Sequence, residues 1–332
     1  MDWPVNTALT ERLLNEWQRE FPLTNRPFSQ VGQALAATET EAIECCRQLL
    51  ARGAISRVGG VWAPGAGGAA LLCAMAVPPQ RLQAVADAVS ALPGVNHNYE
   101  REHALNLWFV LTGGSSVELD AALAGLERAT ALPVLRMKMV RPYRIDLGFD
   151  LHRPAHAHAL LHRPAPRVAA EHRPLAALVE AGLPLVPQPY AAWAARLGTP
   201  EEAVHQQLHA WLNAGTLRRL GLVVRHHEAG FAANAMTVFD APDDTVDALG
   251  RCLAAQPGVT LCYRRERAAG WRYNLYCMVH GRDRAATLAL LHAAIDGAAL
   301  QALPREVLFS SRRFKQTGAS YFRTPDAFDH AR

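Results

Sequence analysis

PGVNHNYERE, residues 93–102, returns at residues 257–266 as PGVTLCYRRE. Tyr99 answers Tyr263, and Arg101-Glu102 answers Arg265-Glu266. Upstream, Phe21-Pro22-Leu23 followed by Arg26-Pro27-Phe28 recurs as Leu183-Pro184-Leu185 followed by Gln188-Pro189-Tyr190, and Gly53-Ala54-Ile55-Ser56-Arg57 recurs as Gly215-Thr216-Leu217-Arg218-Arg219. The chain is therefore one unit written twice, and every motif is read in that light.

Each unit opens with three short helices. In the first, Leu9, Leu13, Leu14 and Trp17 share a helical face, followed by helices over Phe28–Ala36 and Thr40–Ala51. Ile55–Trp62 then alternates around Gly59-Gly60, which predicts a small hairpin and completes a winged helix-turn-helix. The second unit repeats this with Pro174–Ala181, Tyr190–Leu197, Pro200–Asn213 and Leu217–Arg225. The rest of each unit runs strand, helix, strand, strand, helix, strand, which is the ferredoxin-like order. Such a sheet has helices on one face, so its other face needs a partner: the other half, or a second chain. Either pairing makes a sandwich with room for a cavity. The fold class is thus α+β, a tandem repeat of winged helix-turn-helix and ferredoxin-like βαββαβ domains. The expected boundaries are 8–62 and 68–148 for the first half, 151–172 for a His/Pro-rich linker, and 173–227 and 231–323 for the second half.

Composition limits the function classes. The 332 residues are 50% hydrophobic and 19% charged, with a net charge of +4, so the chain is globular and only mildly basic. Met1–Asn6 has no secretory pattern, which gives a cytoplasmic expectation. The longest apolar run, Ala69–Val77, is about half of the roughly 20 residues a membrane-spanning helix needs. Six cysteines form no CxxC pair, so neither disulfides nor a cysteine zinc site is expected. Prolines at 154, 164, 166 and 174 mark the segment carrying His152, His156, His158, His162 and His172 as a solvated tether rather than a metal site.

The candidate recognition helices begin with Glu39, Glu41 and Glu44 in the first half and Glu201-Glu202 in the second. Carboxylates there would repel phosphate, which disfavours DNA binding. Polar chemistry gathers instead in the sheet modules. Period-two alternation puts His97, Tyr99 and Arg101 on one face, and Asn98, Glu100 and Glu102 on the other. In the second half Arg225-His226-His227-Glu228 follows the wing, and Cys262 to Arg267 fills a strand. Asn274, Tyr276, Met278 and His280 share a face opposite Leu275, Cys277 and Val279. There is no GxSxG elbow, P-loop or dinucleotide fingerprint. So many arginines beside His and Tyr point to a polyanionic, aromatic ligand, because guanidinium binds carboxylates bidentately and stacks on flat rings.

A winged helix followed by βαββαβ resembles the Lrp/AsnC group. Within it, FPL..RPF (Phe21 to Phe28), GAISRVGGV (Gly53 to Val61), GVNHNYEREHALNLWF (Gly94 to Phe109), GTLRRLGLVVRHHEAGFAANAM (Gly215 to Met236), the Gly258 to Gly281 stretch and FSSRRFKQTG (Phe309 to Gly318) resemble the siroheme decarboxylases, in the fused two-half form of the NirDL type. The resemblance implies loss of the carboxyl groups of two acetate side chains (C12 and C18) of siroheme, giving 12,18-didecarboxysiroheme in heme d1 biosynthesis. It implies catalytic roles for His226, His97 and His103, with His226 the first candidate for general acid, a role that imidazole suits near pH 7. Arg225, His227, Tyr263, Arg264, Tyr273, Asn274, His280 and Asn106 are the implied substrate contacts, Arg225 and Arg264 as carboxylate clamps. His280 or His103 is the implied axial ligand of the substrate's iron. No cofactor and no protein-bound metal is expected, since siroheme brings its own iron. The implied partner is siroheme or another iron porphyrin with acetate side chains, and a homodimer through AsnC-type sheets is expected. A DNA-binding regulator and a non-catalytic tetrapyrrole-binding protein are the competing readings.

Overall fold

The computed structural model describes residues 7–145, 165–224, 233–319 and 321–322. The first winged helix comprises α1 (Thr7–Glu16), α2 (Pro27–Ala34), α3 (Glu39–Ala51) and β1 (Ile55–Trp62), and the second α6 (Arg173–Ala181), α7 (Pro189–Leu197), α8 (Glu201–Ala214) and β6 (Leu217–Val224). Local chemistry sets their ends. Proline occupies the first turn of α2, α6 and α7, where no amide partner is lost. Thr38 and Glu41 form a capping box at the start of α3.

The expected hairpin over Ile55–Trp62 is instead a single strand. β1 pairs antiparallel with β6 of the other half, Gly59 opposite Gly221, so each wing completes the other. The glycines explain why: a Cβ on Gly60 would stand 2.3 Å from Val179 Cγ1, so only a bare backbone lets α6 lie across the ribbon. One core serves both winged helices, joining Leu13, Phe28 and Leu49 to Val179, Tyr190 and Trp211. Tyr190 also donates to the Pro22 carbonyl at 2.9 Å. Part of the expected tether belongs to this body as well: Val168 is buried and donates its N–H to the Ala66 carbonyl, while 151–164 lies outside the described residues.

The ferredoxin-like modules are β2 (Ala69–Met75), α4 (Leu82–Ala91), β3 (Val95–Arg101), β4 (Leu107–Gly113), α5 (Ser116–Thr130) and β5 (Leu135–Ile145), then β7 (Ala233–Phe239), α9 (Val246–Ala254), β8 (Val259–Arg265), β9 (Leu275–Gly281), α10 (Arg284–Gly297) and β10 (Arg305–Gln316). Their sheets run β3-β4-β2-β5 and β8-β9-β7-β10, and pairings of β5 with β8 and of β10 with β3 close them into one barrel. Each sheet's outer face packs on its helices in a separate apolar core, one around Phe109 and Leu123 and one around Phe239 and Leu291.

Barrel closure makes within one chain the sheet pairing that the sequence left open between the other half and a second chain. The edge strands that would meet a second chain are hydrogen-bonded to the other half of this one, so the pairing is made within the chain. The C-terminal residues cross back to the winged helices: Glu180, fully buried, accepts the N–H groups of Tyr321 and Phe322 at 2.7 and 3.1 Å. No described helix is long and apolar enough to cross a membrane. Among the cysteines only Cys252 is exposed, and none is disulfide-bonded.

Candidate active site

Closing the two sheets leaves a cavity between them, with about 810 Å³ of free space including its opening to solvent. Alternation along the strands decides what faces it. β3 turns His97, Tyr99 and Arg101 inward, whereas Asn98 points outward and donates to the Ala86 carbonyl on α4. β8 turns Tyr263 and Arg265 inward, and β9 contributes Tyr276, Met278 and His280. Leu72, Trp108, Asn234 and Met236 are among the residues that supply the remaining wall, and none of the described residues lining it is acidic.

Arg101 and Arg265 are the unusual members. Their exposures are only 7% and 8%, and neither has an ion-pair partner among the described residues. Arg101 Nη1 donates to the Leu308 carbonyl at 2.8 Å, and Arg265 Nη1 to the Met137 carbonyl at 2.9 Å. Each guanidinium lies over tyrosine, Arg101 at 5.8 Å from the Tyr99 ring and Arg265 at 5.2 Å from that of Tyr263. Their buried Nε atoms have no hydrogen-bond partner among the described residues. Burial pulls Arg101 down to about 10 and also lowers Arg265, so both cations stand in a desolvated place without an anion. A buried charge of this kind is costly unless paired, a cost that a bound carboxylate would offset.

The two cavity histidines are held in defined tautomers. His97 Nδ1 lies 2.6 Å from Asn96 Oδ1, and the Asn96 amide donates to Thr112, so Nδ1 carries the hydrogen. His280 Nδ1 lies 2.9 Å from Thr260 Oγ1, whose own hydrogen goes to the Met278 carbonyl at 3.1 Å, so here too Nδ1 donates. In both rings Nε2 bears the lone pair of the neutral form. Burial, reinforced by Arg101, lowers His97 to about 4.

The other residues named from the sequence are used differently. Arg225, His226 and His227 lie outside the described residues. His103 sits in the β3–β4 turn, edge-on to Trp271, and its Nδ1 accepts from Leu105 N–H, so its neutral form carries hydrogen on Nε2 and offers iron no lone pair there. Asn106 and Asn274 are repeat mates that brace the backbone, since Asn106 bonds both N–H and carbonyl of Val77, and Asn274 those of Ala241. Arg264 faces outward, between Asp247 and Asp243 at 3.4 and 3.6 Å. Tyr273 donates to Glu306 at 3.3 Å outside the cavity wall. Of the implied contacts, the structure gathers His97, Tyr263 and His280.

Sequence reasoning put Arg101 and Tyr276 on the strand faces of His97 and His280 but gave them no role, and it assigned none to Arg265 or Asn234. The signal for the arginines was present. Tyr263 and Arg264 are neighbours on a strand and cannot share a face, whereas Tyr263 and Arg265 can, and Arg265 is the repeat mate of Arg101.

The winged helices offer little to DNA. Glu39 is ion-paired with Arg26, Glu41 is spent on the cap of α3, α8 begins with Glu201 and Glu202, and the wings are zipped to each other.

Comparison with known proteins agrees with this division of the chain. The model of an AsnC-like ligand binding domain matches residues 66–144 and 228–315, and that of the siroheme decarboxylase NirDL-like HTH domain matches 10–55 and 173–218. The siroheme decarboxylase NirDL subunit of Paracoccus pantotrophus is 41% identical over 311 residues, 93% of this chain and 95% of that one. The siroheme decarboxylase of Hydrogenobacter thermophilus is 32% identical over 317 residues, 94% of each chain. The crystal structure of a siroheme decarboxylase NirDL in complex with an iron-uroporphyrin III analogue matches with a TM-score of 0.66 at 28% identity, covering 95% of this chain and 94% of that one.

Proposed function

The chain belongs to the siroheme decarboxylase family of the NirDL type, carboxy-lyases of heme d1 synthesis, and from that premise we propose that the barrel cavity receives siroheme and removes the carboxyl groups of its C12 and C18 acetates. The observation that carries the assignment is the pair Arg101 and Arg265, two buried cations without a carboxylate among the described residues, set among tyrosines in the cavity wall. They grip carboxylates at the rim of the macrocycle while Tyr99, Tyr263, Trp108 and Tyr276 line the faces of the ring. This moves the clamp role from Arg264, which is held by its own aspartates, to Arg265.

Loss of CO2 breaks the bond between the methylene and carboxyl carbons and leaves its electron pair on the side chain and pyrrole. Protonation of a ring carbon gives that pair a sink, and the methylene carbon ends as a methyl group. An imidazole supplies the proton, a contribution of roughly 10²–10⁴ in rate. His97 and His280 stand ready in the described wall, each with Nε2 as its working atom. His226 is the donor favoured by the family resemblance, with Arg225 and His227 as rim contacts. The segment that carries them joins Val224 to Ala233, the neighbour of cavity-lining Asn234. Burial and Arg101 hold His97 down at about 4, and the carboxylates of an arriving substrate shift its pKa upward, toward the charged form that donates. An Nε2 bound to the substrate's iron could not also deliver a proton, so for His280 the donor role takes the place of the axial-ligand role that the resemblance implies. The protein then needs no resident metal or organic cofactor, since the reacting ring serves as its own electron sink.

Anaerobic incubation with siroheme tests the reading. Two successive mass losses of CO2 are expected. Siroheme bound without mass loss would make the protein a carrier, and salt-sensitive operator binding without turnover would make it a regulator.

A further inference from the structure

The register of the barrel makes the halves comparable position by position. His97 and Tyr99 of β3 pair with Val110 and Trp108, as Leu261 and Tyr263 of β8 pair with Met278 and Tyr276. Ala70 pairs with Thr112, as Asn234 pairs with His280. Arg101 therefore has an identical mate in Arg265, but the histidines do not have each other: His97 corresponds to Leu261, and His280 to Thr112.

The anchor has nevertheless stayed in place. Asn96 and Thr260 occupy equivalent positions, each next to a register shift in its strand. Asn96 bonds both His97 Nδ1 and Thr112, and Thr260 bonds His280 Nδ1. Each half thus retains one imidazole, fixed through Nδ1 by the same backbone position but hung from neighbouring strands. Each half also keeps one guanidinium tied to a carbonyl of the other half, Leu308 or Met137.

We propose that the two decarboxylations occur at two separate centres, one in each half, with His97 protonating at one reactive acetate and His280 at the other. The inference rests on siroheme occupying the barrel. The two reactive acetates flank the pair of propionates on adjacent pyrrole rings, on either side of an approximate two-fold axis of the macrocycle. A cavity with the same approximate symmetry meets both from a single docked orientation. At each centre the imidazolium protonates a ring carbon of the pyrrole, the methylene–carboxyl bond breaks, CO2 departs while the bond's electron pair forms an exocyclic double bond to the ring, and transfer of the ring proton to the methylene carbon completes the methyl group. The imidazole is then reprotonated from water. The unlike placement of the two rings fits a substrate whose remaining side chains are not symmetric.

The test is single turnover with the full chain and siroheme under anaerobic conditions, comparing wild type with His97→Gln and His280→Gln. Titration of the siroheme absorption band confirms that each variant is folded and loaded. Each variant is expected to lose one CO2 within about threefold of the wild-type rate and to slow the other loss at least 100-fold. The stalled products are expected to be different regioisomers by NMR. In His280→Gln, the additional change Leu261→His places an imidazole where the first half has one, beside Thr260, and is expected to restore the missing loss. Equal slowing of both losses in each variant, or the same stalled isomer from both, overturns the proposal in favour of one centre used twice. Absence of any CO2 loss from the wild-type protein would instead strike at the cavity assignment.

Discussion

Arg101 and Arg265, repeat mates 164 positions apart in the sequence, each enter the barrel from one half and hydrogen-bond to a carbonyl of the other, Leu308 at 2.8 Å and Met137 at 2.9 Å. Among the described residues neither meets a carboxylate, and Arg101 is held further only by a 3.5 Å bond to the Asn234 side-chain oxygen. Replacing either with Met removes a buried cation whose desolvation is uncompensated in the empty protein. The expected result is a siroheme affinity lower by roughly 10- to 100-fold, about 1.4–3 kcal/mol, with no loss of thermal stability. Absorption titration and melting measured on the same sample separate the two effects.

Arg264 and Asn274 serve as contrasting controls. Arg264→Ala breaks ion pairs with Asp243 and Asp247 on the outer surface and should leave siroheme affinity within about twofold. Asn274→Ala leaves the Ala241 N–H and carbonyl without their clamp in a buried setting, which should cost roughly 1–3 kcal/mol of stability in denaturant melts. Weakened siroheme binding in Arg264→Ala would return the clamp role to that residue.

The lowered pKa of His97 sets a direction for pH. The unfolded chain protonates this ring near 6.5, while the folded chain does so only near 4, so its contribution to stability is whole above about 6.5 and drains away as the pH falls toward 4. The ring borders the cavity, and with that solvent access the effect is about 1–3 kcal/mol. Melts at pH 7 and pH 4.5 are expected to show a smaller decline in His97→Gln than in wild type. Because bound carboxylates raise the same pKa, siroheme binding should take up protons and weaken as the pH rises from 6 to 8.

His226→Ala separates the donors: with His97 and His280 protonating the two acetates, siroheme affinity and both CO2 losses are expected to stay within about threefold, and a slowing of roughly 100-fold, the lower end of what a positioned acid contributes, would return the proton to His226. A wild-type rate in that variant would leave the proton to His97 and His280 alone.

Much of this architecture was legible because the chain repeats itself. Two copies of PGV with a shared Tyr and Arg-Glu fixed the strands, and period two put His97, Tyr99 and Arg101 on one face. The same rule excludes Arg264 from the face of Tyr263, a conflict that motif matching alone passes over. What local sequence does not carry is pairing between distant strands. Ile55–Trp62 alternates like half of a hairpin, but its partner is Leu217–Val224 across the other half of the chain. Closure of the barrel by β5 with β8 and by β10 with β3 is equally non-local, so the sequence left open whether the sheets pair within the chain or between chains. Asn106 and Asn274 read as polar pocket residues because nothing in their neighbourhood reveals that their amides are spent on Val77 and Ala241.

A crystal structure of the protein with an iron porphyrin carrying acetate side chains tests the central claim most directly. The account expects the ring inside the barrel, with carboxylates within hydrogen-bonding distance of Arg101 and Arg265 and with His97 and His280 facing different acetates. A pigment bound outside the barrel, with both guanidinium groups still unpaired, would contradict it.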